Sequence, residues 1–314
     1  MTALAARLAP NWTTVAGALE GILEFLGAPL PRYAVMGLTA HAWHFHLGER
    51  DGIVALPSGP TDLDWDAMLR RYARTGYRWE RFTAPATGRQ EAIAWAAARL
   101  EKGLPLIGWD MRLHDFAVVY GIDRSGRAFL VDDRVSGQTG DVAPWDSWPS
   151  EAVGRIDLFA PVEPVEDDPA GAIVDSLADA VAFLHGSGAN SGCTGLERWA
   201  EAFDSEIEID RAGNAYTLQV LQAARLDGAD YLGNLRDLLP QAAPEINEAI
   251  DTVRALVTTL APLVTLFPFP AGGHGNISNP GLREAAAAAL RRAAGHQRDL
   301  AIAIAGVHKA IESE

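Results

Sequence analysis

Between Pro161 and Gly171 the chain reads PVEPVEDDPAG, and its character changes across that stretch. Proline offers no backbone N–H, and a run of acidic residues repels itself, so three prolines and four acids here mark a linker or a long surface connection. Before it, β-branched and aromatic runs alternate with amphipathic segments. After it, the strand pattern almost vanishes. The chain therefore reads as α+β. Residues 1–162 form a mixed domain with a helix on an antiparallel sheet, 163–170 form a linker, and 171–314 form a mostly helical domain.

Composition narrows the function classes. With 48% hydrophobic and 21% charged residues over 314 positions, the chain can bury a large core. A formal net charge of −15 argues against nucleic acid and anionic membrane surfaces as partners, since both require clustered cations. The most apolar stretch, Ala255 to Phe269, is cut by Pro262 and Pro268, and no run reaches the ~20 apolar residues that span a bilayer. The opening MTALAARLAPNWTT does not read as a secretory signal. A single cysteine precludes an internal disulfide, so the expected setting is reducing and cytoplasmic.

In the first half, Leu19, Ile22, Leu23 and Leu26 repeat at helical spacing. Thr13 or Thr14 suits the N-cap of that helix, and Gly27 suits its end. Further helices are expected over Trp65–Thr75 and Gln90–Lys102. Strands are expected from Pro105, His114, Arg127 and Arg155, with a hairpin turn at Arg124-Ser125-Gly126. In the second half, helices are expected over Ile173–His185, Leu196–Phe203, Thr217–Leu226 and Pro244–Leu260. A last one opens at Asn279-Pro280.

Three pieces of the first half combine into a ground plan for nucleophilic catalysis. They are the opening helix preceded by Asn11-Trp12, His114 at a strand start after PLIGWDM, and Asp132-Asp133 at the end of the next strand. A nucleophile at a helix N-terminus, a strand histidine and an orienting carboxylate make up such a site. The segments TTVAGALEGILEFLG, MGLTAHAWHFHLG and PLIGWDMRLHDFAVVYGIDRSGRAFLVDDR resemble the N-terminal domain family of butirosin biosynthesis protein H. That family is related to the leader peptidases that cleave double-glycine peptides. SLADAVAFLHGSGANSGCTGLERWAEAF is similar to the helical region that often follows that domain.

The resemblance implies a papain-like fold for residues 1–162. It also implies an acyltransferase or amide-cleaving chemistry that passes through a cysteine thioester. It places Thr14 at the nucleophilic cysteine, His114 at the base, and Asp133 or Asp132 at the orienting position. Adjacent strand residues face opposite sides, so only one of the two acids can face His114. The family spacing after Phe129-Leu130-Val131 favours Asp133. Asn11, Trp12, Trp109, His44 and His46 are the expected cleft residues.

The departure at Thr14 decides the functional expectation. A threonine hydroxyl is not ionised by a helix dipole and needs a strong adjacent base. The bland reading is that Thr14 caps its helix. The expected function is thus a degenerate papain-like protein that binds a small molecule or peptide. The alternative is acyl transfer from an acyl carrier protein or thioester to an amine. Cys193, in the glycine-rich GSGANSGCTG at a helix start, is the substitute thiol for that alternative, with a modestly lowered pKa expected there. His41, His44 and His46 share the run HAWHFH. In a strand His44 and His46 would share a face, but polar packing accounts for the cluster, and no metal or cofactor is expected.

Overall fold

The structure, a computed structural model, describes residues 2–57, 63–133, 141–166, 168–273 and 275–312. Arg134 and the linker residue Asp167 lie outside them. In chain order the first elements are β1 (Thr2–Ala3), α1 (Thr14–Phe25), α2 (Arg32–Leu38), β2 (Gly48–Arg50), β3 (Ile53–Leu56), α3 (Trp65–Ala73) and β4 (Tyr77–Pro85). Then come α4 (Arg89–Leu100), β5 (Leu106–Trp109), β6 (Phe116–Asp123), β7 (Ala128–Asp132), β8 (Asp141–Pro144) and β9 (Arg155–Pro164). The last are α5 (Pro169–His185), α6 (Gly192–Asp204), β10 (Glu208–Ile209), α7 (Arg211–Leu238), α8 (Ala243–Leu266) and α9 (Pro280–Glu312).

The chain divides into two compact units. A sheet unit comprises residues 1–35 and 59–167, and a helical unit comprises 36–58 and 168–314. The α+β class is as expected, but the boundary is not a single point near residue 162. Residues 36–58 come early in the chain yet belong with the helices. Their β2–β3 hairpin gains β10 as a parallel neighbour of β3, with Ile53 opposite Glu208 and Val54 opposite Ile209. Long-range pairing of this kind leaves no mark in local sequence.

The sheet unit is built on a seven-stranded sheet in the order β4-β9-β5-β6-β7-β8, with β1 also on β6 and every pairing antiparallel. The expected hairpin forms β6 and β7. The Asp123 carboxylate accepts from the backbone N–H groups of Ser125 (3.0 Å) and Gly126 (3.0 Å), which fixes the turn between them. Alternation sorts the strand residues onto two faces. Leu106, Val119, Val131 and Leu158 pack with Ala92, Ile93, Ala96 and Leu100 of α4 on one face. On the other, Phe116 lies near Trp65 (5.8 Å) and Trp109 (4.8 Å). Strand β4, absent from the sequence expectation, pairs with β9 along its whole length.

Helix α1 packs across β5 and β6, with Leu19, Ile22 and Leu23 fully buried. Gly27 ends it with φ +78°, a conformation glycine adopts without strain. Gly17 and Gly21 let another part of the chain lie against the helix backbone. A Cβ on Gly21 would meet the carbonyl oxygen of Arg7 at 1.6 Å, and one on Gly17 would meet that of Ala9 at 2.5 Å. This close approach holds the N-terminal segment, and with it Leu8, beside the sheet.

In the helical unit the expected helices are present and mostly longer. The Thr217–Leu226 segment is one part of the 28-residue α7, which runs through Gly228 and Gly233. Glycine inside a helix costs about 1 kcal/mol relative to alanine. At Gly228 the reason is packing, since a Cβ there would meet the Trp43 ring at 2.6 Å. Asn279 caps α9 through Leu282 N (3.1 Å), ahead of Pro280. Among the described residues, one helix, Pro240–Leu266, is long and apolar enough to cross a membrane by length and composition, which corrects the expectation that no run qualifies. Pro262 sits inside it without ending it. Ile246, Ile250, Val253, Leu256, Leu260 and Leu263 are buried, and along that face the helix packs against α7 and α9.

Candidate functional site

The start of α1 and the loop 110–115 between β5 and β6 come together in the sheet unit. Thr13 is the N-cap of α1, and its carbonyl accepts from Ala16 N (2.9 Å) and Gly17 N (3.1 Å). Its side chain makes no capping bond, and the first turn carries no acidic residue. Thr14 is therefore the first helical residue and not the cap. The Thr14 hydroxyl donates to Asp115 Oδ1 and is 3.3 Å from the Phe116 N–H that donates to it. The same Asp115 oxygen accepts from Phe116 N at 2.9 Å. An aspartate immediately before the strand thus supplies the negative charge that the helix N-terminus lacks.

Burial pushes the Asp115 carboxyl up to about 6, and the neighbouring charge of Asp133 adds to the rise. The hydrogen bonds from Thr14 and Phe116 oppose both without cancelling them. Asp115 was not among the expected residues. The available signal was its place immediately before the apolar run Phe116–Tyr120, at the start of the strand expected from His114.

His114, one position earlier, is turned to a different partner. Its Nδ1 is 2.7 Å from Asp110 Oδ1, and its side chain is 61% exposed. The other Asp110 oxygen accepts from Ser150 N at 2.8 Å. Asp110 lies just after β5 with φ +55°, in the left-handed region. The loop is closed by Asp110 N donating to Asp115 O (3.1 Å) and Asp115 N donating to Leu113 O (2.7 Å). The expected pairing of His114 with Asp132 or Asp133 is therefore corrected, and the residue that holds the imidazole is Asp110.

Asp132 and Asp133 diverge, as strand alternation requires. Asp132 Oδ2 accepts from Leu8 N (3.0 Å) and so fastens the N-terminal segment to β7. Asp133 Oδ1 is 3.6 Å from an Arg112 guanidinium nitrogen that also pairs with Asp141.

The expected cleft residues divide between the two units. Asn11 Oδ1 accepts from Thr13 N at 2.9 Å and shapes the entry to α1. Trp12 is 37% exposed, and Leu113, beside His114, is 39% exposed. Trp109 is buried, and its carbonyl accepts from Trp148 Nε1 at 3.3 Å. All of these belong to the sheet unit. His44 and His46 belong to the helical unit and do not lie in a strand. His44 meets Phe183 edge to face at 5.0 Å, and His46 forms an isolated bridge with Ser191. Among the described residues no group of three His, Cys, Asp or Glu is placed to hold a metal ion.

Cys193 is also in the helical unit and is buried near the start of α6. Its Sγ donates to the Leu184 carbonyl at 3.1 Å, and burial pushes its thiol above the ordinary value. The lowered value expected from its place at a helix start is thus corrected. Burial outweighs the nearby Arg298 and Arg225 charges.

The arrangement offers two polar pairs on one loop. Thr14–Asp115 is inward and bonded to the backbone, while Asp110–His114 is outward. No protein-family model matches the chain, and neither does any curated protein.

Proposed function

We propose that the sheet unit is a papain-like domain of the butirosin biosynthesis protein H type that binds a small molecule or peptide and does not form an acyl-enzyme at Thr14. The observation that carries this reading is the pairing of the Thr14 hydroxyl with Asp115. Acyl-enzyme chemistry needs a nucleophile that is ionised or bonded to a competent base. The Asp115 oxygen that meets the hydroxyl also accepts from Phe116 N, and the His114 imidazole is bonded to Asp110 instead, so no histidine base reaches Thr14. The Thr14 oxygen also accepts from Phe116 N, so the hydroxyl clips α1 to β6 with its donor and an acceptor site both engaged. Cys193 supplies no substitute, being buried with its thiol pushed up. A cytoplasmic setting belongs to the same reading.

The test is covalent. Incubation with aminoacyl thioesters and activated esters is expected to leave the intact mass at Thr14 unchanged. An adduct that maps to Thr14 and is lost in Thr14→Ala overturns the reading. The converse variant sharpens it. Thr14→Cys alone places a thiol beside a carboxylate, which disfavours the thiolate, and iodoacetamide is expected to label it slowly. Thr14→Cys combined with Asp115→His places an imidazole where the base is needed and is expected to label much faster.

A further inference from the structure

Strands β4 and β9 hold a charged cluster that shares no residue with α1 or the loop 110–115. In their antiparallel register Arg81 lies opposite Phe159, Thr83 opposite Asp157 and Pro85 opposite Arg155. Alternate residues of a strand share a face, so these side chains form one surface. Asp157 is completely buried in it and is held by both arginines. Its Oδ1 accepts from Arg81 Nε (3.0 Å), Arg81 Nη2 and Arg155 Nη2 (3.0 Å), and its Oδ2 accepts from Arg155 Nε (2.6 Å). The carboxylate is thereby fully occupied, and two cations share one anion.

Each guanidinium turns its Nε and Nη2 towards Asp157 and keeps Nη1 apart from it. Among the described residues neither Nη1 has a hydrogen-bond partner or a second carboxylate, and both reach solvent. The Arg81 and Arg155 side chains are 18% and 30% exposed. The rings of Trp65 and Phe159 each have their centre 5.8 Å from Arg81 Cζ, close enough to hold that guanidinium plane in place. Thr83, the cross-strand neighbour of Asp157, is exposed, and its hydroxyl makes no hydrogen bond among the described residues.

We propose that Arg81, Arg155 and Thr83 form a binding site for a carboxylate group. The planar fork of a guanidinium matches the two oxygens of a carboxylate. Charge selects a monoanion, because two arginines and one aspartate leave a single positive charge in excess, which a phosphate dianion would overshoot. Asp157 holds the two forks side by side, so the ligand meets cations that are already ordered. The carboxylate is either a peptide C-terminus or the acid group of a small molecule. The inference rests on the reading of the sheet unit as a ligand-binding domain and names the charged group of its ligand.

The test titrates the full chain at constant ionic strength with N-acetylglycinate, which mimics a peptide C-terminus, and with propionate. The Nε–H signals of Arg81 and Arg155 are followed by nitrogen–proton NMR. Both signals are expected to shift together and to saturate, and the tighter of the two anions identifies the source of the carboxylate. Arg155→Gln leaves the Arg81–Asp157 pair in place and is expected to weaken binding about tenfold, the loss of one charge-assisted contact. If circular dichroism shows that variant to be unfolded, Thr83→Val at the exposed position takes its place, with roughly threefold weakening expected. No saturable shift with either anion, an equal response to chloride or N-acetylglycinamide, tighter binding of inorganic phosphate, or unchanged affinity in the folded variant overturns the proposal. Failure of the ligand-binding reading shows separately, as a covalent mass on Thr14.

Discussion

The two units bury polar side chains to different ends. In the helical unit Arg225 is completely buried on α7, with its guanidinium donating to the Ala42 carbonyl and to Gln297 Oε1 (2.8 Å). Gln297 Nε2 in turn donates to the Leu184 carbonyl at 3.1 Å, the same carbonyl that accepts from Cys193. Burial lowers the Arg225 group to about 9, so it remains a cation at neutral pH. Its role is to tie residues 36–58 to α7 and α9. In the sheet unit Asp115 and Asp110 bond to backbone N–H groups and to Thr14 and His114, and His114 opens to solvent. A polar group enclosed on all sides becomes a fastening, whereas one held from behind and open in front becomes a site.

The largest expected effect lies in the fastening. Arg225→Leu leaves the Ala42 carbonyl and Gln297 with buried, unmatched acceptors. The expected loss is about 3 kcal/mol of unfolding free energy, read by chemical denaturation. An unchanged midpoint would break the contrast between the units.

A smaller effect is expected at the clip. Thr14→Val keeps the shape but removes the hydroxyl, with an expected cost of about 1–2 kcal/mol. The Asp115 carboxyl should rise further, because the Thr14 hydrogen bond lowers it. Thr14→Ser should cost roughly 0.5 kcal/mol or less, since the hydroxyl survives.

The remaining effect is a pH slope. Folding raises Asp115 from its ordinary value to about 6, so the folded chain binds that proton more tightly than the unfolded one. Its contribution to stability is fully present below about pH 4 and is lost as pH rises through 6. Asp115→Asn should remove this slope. Relative to the variant, the parent is expected to lose about 2 kcal/mol between pH 4 and pH 7, measured by denaturation at both values. A parallel pH dependence in the two proteins would mean that Asp115 is not desolvated.

Local signals in the sequence determined much of the fold. The periodicity of Leu19, Ile22 and Leu23 specifies α1, and Ser125-Gly126 specifies the turn between β6 and β7, because side-chain spacing and turn chemistry act over a few residues. Asp132 ends β7 and Asp133 follows it, and the two acids take different partners, as adjacent extended residues do. Strand β4 was not legible, because most of its residues are only part-buried and its run YRWERFTAP lacks a clean alternation. Tertiary structure decided the partners. Asp115 meets Thr14 across 101 positions of sequence, and Asp110, with its left-handed backbone, meets His114 within the same loop. Residues 36–58 join the helical unit through partners far along the chain, such as Arg225, 183 positions beyond Ala42, and β10 beside β3. Such pairings are set by the closure of a sheet and the packing of distant helices, whereas local sequence encodes only the neighbours that a residue meets within a turn or two.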